Sequence, residues 1–226
     1  MNDRLLPLMK IMIGPAYIFL LFFTLDAEAA SAREPYWQEY HIELSGLTDE
    51  QVLILESTIN KLRSLEPAEL KINKRTYTRL SRFKELFGFE FNGRDLSRWL
   101  LTRIRSISYQ NTWTAAVNQN QGDFFAGDLF FTKTNRLEKL YTLIHEARHS
   151  DDEGYEHVKC PKGFKYISSR QPEMDLEKTP ACDDNDQGAY SFQAAFLFEL
   201  FAYGMFDQSE VGLLYNSSIS RVVPSK

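Results

Sequence analysis

Two histidines four residues apart, with a glutamate directly after the first, stand at His145-Glu146-Ala147-Arg148-His149. On a helix, side chains at i and i+4 are stacked neighbours on one face. Both imidazoles can then reach one zinc ion, and Glu146 can reach a water beside it. The chemistry open to such a set is hydrolysis, with the metal as Lewis acid and the carboxylate as acceptor of the water's proton. A catalytic zinc needs three protein ligands and an open position. Three of the chain's four histidines fall between positions 145 and 157, which supplies a candidate third ligand in His157.

This pattern resembles the HExxH metallopeptidases of the zincin superfamily. The resemblance implies an α+β fold, with a small antiparallel or mixed sheet packed on several helices and the HExxH helix under the sheet. It also implies Zn2+ as cofactor, His145 and His149 as ligands, Glu146 as general base and peptide-bond hydrolysis as the reaction. In the stricter signature the residues between the glutamate and the second histidine are uncharged. Arg148 departs from this and is expected to turn away from the metal, toward Asp151 or an acidic loop.

Three residues compete for the third ligand position. Metzincins carry HExxHxxGxxH, and Gly154, Glu156 and His157 reproduce the GxxH portion after two extra residues, which makes His157 the preferred ligand. Aspzincins supply an Asp just before a helix that opens with Tyr and small residues, and Asp183, with Asp184 and Asp186 beside it, precedes Ala189-Tyr190 in a looser version of that pattern. Helix capping is the plainer role for these carboxylates. Gluzincins take a Glu from a downstream helix, which points to Glu199 within the apolar run 196–201. By aspzincin-like analogy the phenol of Tyr190 is a candidate donor to the oxyanion of the tetrahedral intermediate, with core packing beside Phe192 and Phe196 as the alternative.

The elements that must position these groups are read from periodicity. Residues 36–44 alternate as a half-buried strand. Thr48 with Gln51 forms a capping box for a helix whose buried face carries Val52, Leu55, Ile59 and Leu62. Residues 73–87 form a basic amphipathic helical stretch, and another runs from Gly93 through Ile104. Ile107, Tyr109 and residues 113–117 look extended, a polar turn covers 118–122, and residues 127–132 read as a second strand, antiparallel to the first and forming the sheet edge for an extended substrate. Asn135 with Glu138 has capping-box spacing and opens the helix bearing the histidines, with Leu137, Leu140, Tyr141 and Ile144 on its apolar side. Residues 153–187 are loop-rich, 188–203 form a strongly apolar helix, and Asp207 with Glu210 starts a last one.

With 226 residues, 43% of them hydrophobic, the chain is long enough for one sizeable core. A formal net charge of −5 provides no basic field, so nucleic acid is excluded as an expected partner. Arg4 and Lys10 precede an apolar run ending near Leu25, and Ala27-Glu28-Ala29 and Ala30-Ser31-Ala32 offer A-x-A cleavage sites. Residues 1–29 are therefore expected to be a signal peptide and 30–226 a single domain, exported to periplasm or medium without a stable membrane span. A retained N-terminal anchor is the alternative, and Pro15 within the run argues against it. In an oxidising compartment Cys160 and Cys182 are expected to pair, closing a loop of about twenty residues worth roughly 3 kcal/mol. The function expected is that of a monomeric exported zinc peptidase acting on a protein or peptide. The alternative is a zinc-stabilised, catalytically degenerate zincin serving as an envelope binding or assembly module.

Overall fold

The computed structural model describes residues 35–112, 114–151, 156–163 and 175–223. The segment 1–29, Trp113 and Gly154 lie outside them.

Among the described residues the architecture is α+β, with a four-stranded mixed sheet, a two-stranded sheet and eight α-helices. The chain opens with a short helix α1 (Tyr36–Glu39), then β1 (Glu43–Ser45) and the long helix α2 (Asp49–Arg63). Residues 36–44 are thus not one strand. Tyr36 and Trp37 are adjacent and both buried, which helical turns permit and a half-buried strand does not. His41 then takes a left-handed φ of 55° that breaks the extended run.

Helix α2 begins as expected: Thr48 accepts from the Gln51 N–H, and the Gln51 side chain accepts from the Thr48 N–H. Leu55, Ile59 and Leu62 are buried, while Val52 is only partly covered. The stretch 73–87 forms two helices, α3 (Lys74–Leu80) and α4 (Phe83–Phe87). The break falls at Ser81, whose extended backbone brings its hydroxyl 2.5 Å from Glu199 Oε1. Helix α5 (Gly93–Leu101) stops short of Ile104.

Strands β2 (Ser106–Tyr109), β3 (Ala116–Gln119) and β4 (Asp123–Ala126) complete the main sheet in the order β1-β2-β4-β3. The β1–β2 and β2–β4 pairs are parallel, and β3 runs antiparallel to β4 as the terminal strand. Asn120 and Gln121, both with positive φ, and Gly122 at φ 119° make the tight turn between β3 and β4. The antiparallel hairpin therefore exists, but its second strand is 123–126. The expected strand at 127–132 is instead mostly a π-helix, Leu129–Lys133. Phe130 and Phe131 are consecutive and both buried, a demand that a strand with one solvated face cannot meet.

Helix α6 (Arg136–Arg148) starts at a complete Asn135–Glu138 capping box. Strands β5 (Val158–Lys159) and β6 (Pro180–Cys182) pair antiparallel, and the Cys160–Cys182 disulfide is formed. Helix α7 (Ala189–Ala202) is apolar on every side and almost wholly buried, which marks it as the central helix of the core. Helix α8 (Gln208–Ile219) is capped by Asp207 and packs on α7. Helix α6 packs against α7 on one side and against β3 on another. No helix among the described residues is long and apolar enough to cross a membrane.

Candidate metal centre

Helix α6 carries the first two histidines on its buried face, near its C-terminal end. His145 is buried among core residues, and His149 at the C-cap is partly exposed. The third, His157, stands just before β5. Their ring nitrogens converge: His145 Nε2 lies 3.0 Å from His157 Nε2 and 3.4 Å from His149 Nε2. One nitrogen from each of the three lies within 4.8 Å of the others. Zinc–nitrogen bonds of 2.0–2.1 Å in tetrahedral array place neighbouring donor atoms about 3.3 Å apart. The two short spacings bracket that value, so these residues can hold a metal ion.

The protonation states suit the same task. Burial holds the His145 imidazole well below its ordinary pKa, and the neighbouring His157, His149 and Arg221 add to that shift. A neutral ring nitrogen is the form that ligates. His157 Nδ1 stands 2.9 Å from Asp183 Oδ1, so its hydrogen is held by the carboxylate and Nε2 keeps its lone pair for the cluster.

Asp183, which competed with His157 as third ligand, therefore serves beside it. Its other oxygen accepts from the Tyr190 N–H at 2.7 Å, satisfying one of the open donors at the start of α7. Gly188 makes this approach possible, because a Cβ there would sit 2.3 Å from Asp183 Oδ2. The β5–β6 pair and the disulfide bring the segments bearing His157 and Asp183 together. Glu199, the remaining competitor, is fully buried and is not among the residues whose donor atoms converge. It accepts hydrogen bonds from Tyr77 Oη at 2.9 Å and Ser81 Oγ, ties that spend its carboxylate in joining α7 to α3.

Glu146 is buried beside β3. Its Oε2 accepts the Asn118 N–H at 2.9 Å, and burial pushes its carboxyl up to about 8 against the pull of that bond. The Asn118 side chain donates to the Glu146 carbonyl at 2.6 Å and to Ser150 Oγ at 2.7 Å, and accepts from the Gly122 N–H at 2.8 Å. Tyr190 packs its ring on His157, centroids 4.8 Å apart at 24°, and against His145 at 4.6 Å. Its phenol oxygen accepts from Arg221 Nη1 at 2.5 Å.

Arg148 turns away from the cluster. It donates to the Gln187 carbonyl at 2.7 Å, pairs with Asp151 and lies over the Phe192 ring. Its charge is thus used to tie α6 to the start of α7, as expected for the departure from an uncharged signature. Two residues of the site were not singled out from sequence as site residues. Asn118 was expected in a turn, and Arg221 near the end of α8 carries no local pattern that marks it.

No family model, curated protein or solved structure matches this chain.

Proposed function

We propose that the chain is an exported zinc peptidase in which His145, His149 and His157 hold the metal. The convergence of three imidazole Nε2 atoms, one of them oriented by a buried carboxylate, is the observation that carries this reading. Bound zinc supplies a Lewis acid for the scissile carbonyl and acidifies water.

Glu146 takes a proton from the attacking water as its oxygen bonds to the carbonyl carbon. The same proton then passes to the amide nitrogen as the carbon–nitrogen bond breaks, so one water is consumed per bond cleaved. Asn118, through its N–H on Oε2, holds the carboxylate in place for both transfers. Tyr190 donates its phenol hydrogen to the carbonyl oxygen as that atom gains charge. The substrate is a protein or peptide laid along β3, the terminal strand nearest α6. A disulfide beside the third ligand supports an oxidising compartment.

Elemental analysis of the purified protein and of Glu146→Gln is the test, paired with cleavage of labelled casein. Both proteins are expected to retain one zinc per chain. The substitution is expected to lower turnover by at least about 100-fold, and full turnover in Glu146→Gln would refute the mechanism.

A further inference from the structure

A phenol has one hydrogen to give, whereas a guanidinium has only donors. The short contact between Arg221 Nη1 and Tyr190 Oη therefore has a fixed direction, with the phenol oxygen accepting. The hydrogen of Tyr190 must go elsewhere, and no described group accepts it. That hydroxyl belongs to a ring in contact with two of the three histidines.

The rest of Arg221 shows no stabilising purpose. No carboxylate lies within ion-pair distance of it among the described residues, and its Nε is buried without a hydrogen-bond partner. A buried donor left unmade is costly and calls for a reason. Its guanidinium carbon sits 4.8 Å from the Tyr190 ring centroid, so the charge is spent on that ring. The backbone is held as firmly. The Arg221 carbonyl accepts from the Asp183 N–H at 2.9 Å, and the Val223 N–H donates to the Asp183 carbonyl at 2.8 Å. The residue that orients His157 thus also anchors Arg221.

We infer that Arg221 is a positioning residue for Tyr190: it occupies the phenol's acceptor side and polarises the hydroxyl, leaving the hydrogen free for the oxygen of a substrate at the histidine cluster. This rests on the peptidase reading above. A charge-assisted bond into a hydroxyl strengthens the bond that hydroxyl donates. This effect of Arg221 is carried through Tyr190 and is felt when charge develops on the substrate oxygen.

A double-mutant cycle on the zinc-loaded full chain tests this. Tyr190→Phe is expected to lower kcat on casein about 100-fold and Arg221→Met about 10-fold, both with little change in KM. Combining them is expected to be no worse than Tyr190→Phe alone, within about two-fold. The same cycle is read without turnover from the affinity of a peptide phosphonate, a stable tetrahedral anion, by calorimetry. Each single substitution should weaken phosphonate binding and the pair should be non-additive. Arg221→Lys keeps the charge and serves where Arg221→Met loses zinc or fold. Additive losses, or loss of zinc or fold in both Arg221 variants, overturn the inference. A wild type that binds zinc and phosphonate yet cleaves nothing would sink the peptidase reading alone, and the phosphonate cycle would still decide the role of Arg221.

Discussion

On the proposed reading, removing the Asp183 carboxylate should weaken zinc binding without removing a ligand. In Asp183→Ala two donors lose their acceptor at once, the His157 Nδ1–H and the Tyr190 N–H. Loss of the carboxylate behind a ligating histidine typically costs 10- to 100-fold in metal affinity, which is about 1.4–2.7 kcal/mol. Asp183 is only 2% exposed, so water cannot readily replace it for the helix N–H. That orphaned donor should cost a further ~1–3 kcal/mol of stability, with or without metal. The two effects separate experimentally. Zinc affinity is read by competition against a chromophoric chelator. Urea unfolding of the metal-free protein gives the structural cost, and the gain on adding a fixed excess of zinc should shrink by the affinity term. Asp183→Asn, which keeps one accepting oxygen, should fall between. Unchanged zinc affinity in Asp183→Ala, within about two-fold, would show that His157 does not ligate through the geometry described.

Two further predictions concern groups away from the histidines. Asn118→Ala removes three side-chain hydrogen bonds that join β3 to the end of α6 and to Gly122. It should cost ~1–3 kcal/mol while zinc content stays at wild-type level, and turnover should fall only as far as β3 shifts, because the backbone N–H on Glu146 Oε2 survives the substitution; an unchanged urea midpoint or a loss of zinc would refute this placement of the side chain. Glu199 is raised chiefly by burial, against the pull of Ser81 and Tyr77. The folded state then binds this proton more tightly than the unfolded chain, so its contribution is full at acid pH and is lost as pH rises through the raised folded value. Glu199→Gln should remove that decline, gaining relative to wild type between pH 4 and pH 8 in urea midpoints. An equal difference at both pH values would refute the assignment.

How much of this was legible in the sequence depends on range. The Thr48–Gln51 and Asn135–Glu138 caps are three-residue patterns and were readable, as were the apolar α7 and the cysteine pair. The histidine set was readable because two of its members share a helix turn and the third follows within the same stretch. Residue pairs distant in sequence were not. Strand β1 is only three residues, paired in parallel with β2 more than sixty positions away, and no local alternation announces it. Phe130 and Phe131 have strong strand preference but are both required by the core, and tertiary packing overrode the preference. The role of Asn118 depends on Glu146 and that of Arg221 on Tyr190, contacts spanning 28 and 31 residues. Such pairs leave no trace in spacing.

The Asn118 peptide unit has a consequence for accuracy of cleavage on the proposed reading. One backbone N–H joins the strand that would carry the substrate to the carboxylate that would move the proton. Ruler and blade are thus mounted on a single amide, and neither can creep along the chain without the other. A bound peptide that slipped by one residue would turn every side chain to the opposite face. Faithful registration of the scissile bond would then come from the framework itself, whatever side-chain pockets a given target happens to fill.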